Sequence, residues 1–294
     1  MINSRRCHPI VLSLLVLSAA CGSQSDGPPV AEPAAQFSRT EIALGSPVDV
    51  TYRFKVAADA RFDQDYHVMV HFLDSEGELM WTDDHLPPTP TSKWRPGQEI
   101  SYTRTMFVPI VPYIGETTVN MGLYSVKDKR RLPLSGETTG HHAYKVATVE
   151  LLPQTGNVFL VFKNGWHETE VAPQNPAVEW QWTKKTATLT FRNPRRDSTF
   201  YLHVDNPGSG GFSESQKIDI LVNGQPVDSF KLAPGQEVIH RAPISASVLG
   251  DGDMAELAIQ VDKTFVPALL PAANSRDSRE LGVRVFHMFV EPRT

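Results

Sequence analysis

The sequence predicts an all-β protein, built as two antiparallel β-sandwich domains (Ig-like or jelly-roll-like) in series. Three observations carry this expectation. Apolar residues alternate with period two, as in "VDVTYRFKV", where Val48, Val50, Tyr52, Phe54 and Val56 share one face of an extended chain. Pro and Gly separate such runs at the short spacing of a sandwich. No segment sustains a 3.6-residue period over three turns, so helix is nearly absent from the reading.

Residues 1–20 read as a secretory signal peptide. Arg5 and Arg6 form its basic start, and "PIVLSLLVLSAA" is an apolar run of about a dozen residues, too short to cross a bilayer. Cys21 follows, in "LSAAC". That stretch resembles the lipobox of bacterial lipoproteins, with Ser18 where a large aliphatic residue is usual and Leu17 one place further back. The resemblance implies lipidation at Cys21. Residues 21–36, small, polar and Pro-rich, are expected to be a disordered tether. Of the two cysteines, Cys7 leaves with the signal, so the mature chain has no intrachain disulfide and no thiolate metal site.

The first sandwich is assigned to residues 37–152. "YHVMVHFLD" places Tyr66, Val68, Val70 and Phe72 on one face, and "ISYTRTMFV", "TTVNMGLY" and "AYKVATVELL" follow. "LLPQTG" interrupts the pattern, giving a linker at 153–156. The second sandwich, 157–292, contains "NVFLVF", "TATLTF", "TFYLHV", "QKIDILV", "ELAIQVD" and "LGVRVFHMFVE". The turn "NGQP" places Ile218, Ile220 and Val222 on a hairpin. The halves share no fixed-period motif, so they are two modules and not a repeat array.

Charge narrows the partners. The whole chain carries −5, and loss of Arg5 and Arg6 lowers the basic count from 28 to 26 against 33 acids, about −7. The densest basic cluster is "KDKRR" at 127–131, at a strand end, and nucleic acid is not an expected partner. No second apolar run approaches a membrane span, so any membrane contact is expected through the lipid on Cys21.

"WTDDHLPPTPTSKWRPG" gathers Asp83, Asp84 and His85, a suggestive set of ligands, ahead of four prolines that cannot join a ladder. It is expected to be a loop in which Asp83, Asp84 and Ser92 cap nearby backbone N–H groups. His67 and His71 lie roughly 13 Å apart if extended, too far to share an ion. His141 and His142 point to opposite faces, and no metal or other cofactor is expected. "GWHETE" offers Glu168 and Glu170 as a carboxylate pair about 7 Å apart on one face, a spacing glycosidases use. No nucleophile elbow, phosphate loop or dinucleotide fingerprint accompanies them, and the chain is expected to be non-catalytic.

The five tryptophans fall at strand ends or in connecting segments. There a Trp either plugs one end of a core or presents a flat face to a sugar ring. Plugging is the expected role of Trp166, Trp180 and Trp182, with the last two packed together on one face.

"VHFLDSEGELMWTDDHLPPTPTSKWRPGQ", with "GLYS" and "RRLPLSG", resembles a β-sandwich module of bacterial surface-glycan systems, often attached to membrane-embedded glycosyltransferases. "GWHETE", "WQWT", "FRNP", "LVNGQPV" and "DSRELGVRV" resemble a companion module in the same setting. Together they span most of residues 66–290. In "DSRELG", Asp277 and Arg279 are expected to lock a turn.

The resemblance implies a cell-envelope lipoprotein that binds or assists assembly of surface polysaccharide, and the lack of an aspartate directly after Cys21 points by the sorting pattern of lipoproteins to the outer membrane. Candidate contacts are Trp81, Asp84, His85 and Trp94 in the first half and Trp166, His167 and Glu168 in the second. A scaffold docking an envelope glycosyltransferase or export complex is the alternative, and a glycan hydrolase using Glu168 or Glu170 a further one.

Overall fold

The computed structural model describes residues 27–154, 160–208, 214–270 and 274–293. Cys21, the signal segment and part of the expected 153–156 linker lie outside the described residues. The chain is all-β. Its helical content among these residues is a four-residue helix, Ala246–Leu249, and two 3₁₀ turns, Thr91–Lys93 and Pro267–Leu269. None is long and apolar enough to cross a membrane.

The first half contributes ten strands: β1 (Ala31–Phe37), β2 (Glu41–Ala43), β3 (Pro47–Val56), β4 (His67–Leu73), β5 (Leu79–Thr82), β6 (Glu99–Phe107), β7 (Gly115–Tyr124), β8 (Arg131–Leu132), β9 (Thr138–Gly140) and β10 (Ala143–Leu152). One sheet runs β1-β3-β6; the other runs β2-β10-β7-β4-β5, with β8 and β9 paired onto β7 and β10. The alternation seen in the sequence does its expected work. Val48, Val50, Tyr52, Phe54 and Val56 all face inward at 0–2% exposure. Tyr66, Val68, Val70 and Phe72 meet them in one core cluster from the other side. Pairing is antiparallel except for β2, which lies parallel to β10.

The segment read as tether is partly structured. Ala31 to Gln36 belong to β1, paired with β3 from Ala31↔Val56 to Phe37↔Val50. Its inward positions begin with Ala31 and Pro33, too small to register as a hydrophobic stripe. Pro33 is tolerated because β1 is an edge strand, where a missing N–H breaks no inner ladder.

The second half contributes β11 (Leu160–Phe162), β12 (Glu170–Ala172), β13 (Asn175–Trp182), β14 (Thr186–Arg192), β15 (Ser198–Asp205), β16 (Gln216–Val222), β17 (Gln225–Leu232), β18 (Glu237–Ile244), β19 (Met254–Val261) and β20 (Arg284–Pro292). Two five-stranded sheets, β11-β14-β19-β16-β17 and β12-β13-β20-β15-β18, enclose a second core cluster. The "NGQP" hairpin joins β16 to β17, with Ile218, Ile220 and Val222 fully buried.

Two irregularities position side chains. The β15–β20 ladder shifts register between His203↔His287 and Val204↔Val285, leaving Phe286 as an extra residue. Gly165, at φ +81°, passes so close to β14 that an added Cβ would collide with the Thr186 carbonyl and lie 2.8 Å from the Ala187 Cα. Gly165→Ala should therefore destabilise the protein by about 2 kcal/mol or more, a shift that denaturant titration would read directly.

Candidate functional site

The segment expected to leave the sheet does so only after His85: the Asp83 amide still donates to the Val70 carbonyl and His85 pairs with Val68, so residues 83–85 prolong the pairing with β4, and the acidic residues bind partners distant in sequence. Asp83 accepts a hydrogen bond from the Tyr52 hydroxyl at 2.8 Å and two from Arg104, at 3.0 and 3.3 Å. Asp84 accepts from the Val70 amide at 2.9 Å and lies 3.7 Å from His71. Ser92 binds Asp65 through both its hydroxyl and its amide, so it is capped by that carboxylate and does not itself cap a nearby N–H. These partners sit far away in sequence, so local turn chemistry could not announce them.

His85 completes the network. Its Nδ1 lies 2.6 Å from the Asp83 carbonyl oxygen, which can only accept, so Nδ1 carries the proton. Its Nε2 then accepts from the Tyr102 hydroxyl at 2.8 Å. Burial holds the His85 pKa below its ordinary value and pushes the Tyr52 and Tyr102 hydroxyls up, Asp83 adding to the rise for both. His85 is 7% exposed and fully engaged, so it is a strut of the loop and not a ligand contact.

Trp94 is likewise corrected. It is 5% exposed, stands 5.0 Å from Phe54 and 5.4 Å from Phe62, and donates from its indole to the Thr89 carbonyl. Thr91, fully buried beside it, accepts from the Tyr66 amide and donates to the Gln64 carbonyl. Thr91 and Trp94 of "TSKWRPG" are thus loop staples.

In the second half Trp166 plugs the core as expected, its indole donating to the Thr188 carbonyl at 2.8 Å and its ring edge-on to Phe162. His167 is tied to the Glu280 carbonyl at 2.7 Å. Glu168 is exposed, whereas Glu170 is ion-paired to Arg279 at 2.7 Å. Arg279 is in turn clamped by Asp277, the expected turn lock. Trp166, His167 and Glu168 therefore do not gather around a common cavity with Trp81. Among the described residues no three His, Cys, Asp or Glu side chains are placed to hold a metal ion.

The structure instead brings Trp81 to a cleft of about 640 Å³ between the two halves. Trp81, on edge strand β5, stacks one face on Phe72 at 4.3 Å and lines the cleft with Arg104 and Phe107 of β6. His203, Glu237 and His287 form the opposite wall. Phe107 lies nearly parallel to His287 at 5.3 Å and to His203 at 6.4 Å, and the two imidazoles are 5.9 Å apart at 12°. His203 meets the Glu237 carboxylate at 2.8 Å, which lowers the Glu237 pKa. Desolvation by the packed rings, with His203 beside it, holds the His287 pKa below its ordinary value although the residue keeps an exposed edge, so its ring is neutral at neutral pH. The Phe286 bulge sets this wall, since it turns both Phe286 and His287 toward His203. Arg39–Glu291 at 2.9 Å, and Arg241 on Asp49 and Thr105, tie the halves together beside it.

Trp180 and Trp182 share a face, but Arg284 lies over both rings, at 4.8 and 5.9 Å. Asp205, 5% exposed, grips that guanidinium from behind.

Arg104, Phe107, His203, Glu237 and His287 were missed because the site forms only where two distant segments meet. One signal was present: outward positions of "TFYLHV" and "RVFHMF" carry aromatic and imidazole rings where a solvated strand would carry Lys or Glu.

No family model matches the sequence, and no curated protein matches it. Solved structures do. A Bacteroides uniformis β-glucuronidase is 11% identical, with 89% of this chain covering 30% of that one at a TM-score of 0.29. An exo-β-1,3-galactanase from Phanerochaete chrysosporium is 9% identical, with 89% covering 57% at 0.29. The mosquito-larvicidal Cry4Aa toxin from Bacillus thuringiensis is 8% identical, with 90% covering 52% at 0.30. The chain thus spans between about a third and a little over half of these proteins. One expectation is corrected: two of these similar structures are sugar-cleaving enzymes by name, and the description of this chain as non-catalytic is withdrawn.

Trp94→Ala should cost about 3–5 kcal/mol of stability, read as an earlier chemical-unfolding midpoint, because the ring is core. For His85, the folded-state pKa lies below the unfolded one, so its contribution is intact above about pH 6.5. It is lost as pH falls from there toward the folded value. The melting-temperature gap between the wild type and His85→Gln should therefore narrow on acidification; a constant gap would rule out protonation at His85 as a cause of acid lability.

Proposed function

We propose that this protein is a cell-envelope lipoprotein, anchored through Cys21 at the outer membrane, that binds surface polysaccharide in the cleft between its halves and so assists polysaccharide assembly or retention. The observation that carries the reading is a cleft of about 640 Å³ lined by the rings of Trp81 and Phe107 from the first half and of His203 and His287 from the second. Aromatic faces pack on the C–H side of a pyranose ring, while the Glu237 carboxylate and Arg104 guanidinium supply an acceptor and donors for hydroxyls at its rim. The volume falls within the ~300–1,000 Å³ of small-ligand sites. The sequence resemblance to modules of surface-glycan systems supports the same reading.

Calorimetric titration of the signal-free chain with surface polysaccharide from the source cell tests it. Phe107→Ala and His287→Ala should each weaken binding on the order of tenfold without lowering the melting temperature to match. Glu168→Gln should leave binding unchanged. Saturable binding that survives both cleft substitutions would move the site elsewhere on the molecule.

A further inference from the structure

A second cavity, of about 310 Å³, adjoins the cleft. The two share His287, and β13 passes from one to the other: Val178 lines the first, and Glu179, Trp180 and Gln181 line the second. Phe162, 44% exposed, and Thr169 form its outer wall. We infer that this cavity is a second subsite of one groove, and that the ligand is a linear, uncharged oligosaccharide running from Trp81 past His287 to Trp180. The inference rests on the glycan reading of the cleft and adds to it the length and charge of the ligand.

Three observations support it. The first is Trp180, a ring already held for stacking: Arg284 covers it at 4.8 Å, Asp205 fixes Arg284, and Phe286 stands edge-on at 6.2 Å. The second is hydrogen bonding. Among the described residues the indole N–H groups of Trp81 and Trp180, one at each end of the groove, are buried without an acceptor. A buried donor left unmade costs about 1–3 kcal/mol, which an acceptor brought by a ligand would offset. The third is charge. Arg104 is already bound to Asp83, and Glu237 to His203, while His287 is neutral. The groove therefore offers no surplus cation to an acidic sugar, and the exposed Glu179 carboxylate in the second cavity adds repulsion against one.

The test compares binding of neutral gluco- and manno-oligosaccharides, from monosaccharide to hexasaccharide, and of oligogalacturonides of the same lengths, followed by tryptophan fluorescence. Thr169→Trp, a change at the exposed wall, fills the second cavity without touching the first. Affinity for the neutral series should rise with length and then level off. Thr169→Trp should reduce the hexasaccharide on the order of tenfold and leave the monosaccharide unchanged. Equal affinity at every length, or equal loss at every length, would overturn the second subsite while leaving the cleft reading intact. Preference for the oligogalacturonides would overturn the uncharged ligand. Failure of every sugar in both series would defeat the cleft reading itself.

Discussion

The Asp83 carboxylate is the point on which the first half turns. It sits at the end of an edge strand, 12% exposed, and it receives Tyr52 from β3 and Arg104 from β6. Carboxylate, phenol and guanidinium would each be costly to bury alone; joined, they satisfy one another at the rim of an apolar core. Because Tyr52 and Arg104 belong to one sheet and Asp83 follows the other, the same bonds pin the two sheets at that rim. The position of Trp81, two residues before Asp83, follows from this clasp, and so does the side wall of the cleft. His85 and Tyr102 extend the network inward and explain why so polar a loop is rigidly placed.

What the sequence made legible was set by periodicity. Each inward-facing stripe in β3, β4 and β16 was readable because burial of alternate residues is a local property of one strand. The role of Asp277 with Arg279 was readable for the same reason, since a single residue separates them. The functions of Asp83 and Asp84 were not, since their partners arrive from 14 to 31 residues away. Trp94 looked like a surface ring because it stands among prolines, yet its loop folds back and inserts it beside Phe54. Strand β1 escaped notice because Ala31 and Pro33 can fill a narrow edge position without hydrophobic bulk.

The cleft had the least sequence signature because it depends on a defect. A regular β15–β20 ladder would alternate strictly, and Phe286 and His287 would take opposite faces. The bulge gives the strand one extra residue and lets both rings approach His203. Phe107, at the end of β6, completes the stack from the other half of the chain. The contacts beside it, Arg39 with Glu291 and Arg241 with Asp49, are between charged, partly solvated groups. Their attraction weakens as salt screens it.

Strand β1 also sets a leash. With the backbone fixed from Val30 onward by its bond to Pro133, only nine Cα-to-Cα steps separate that point from Cys21. Fully extended, they reach about 30 Å. Were Cys21 to carry the proposed lipid, that length would hold the body within about 30 Å of the membrane surface.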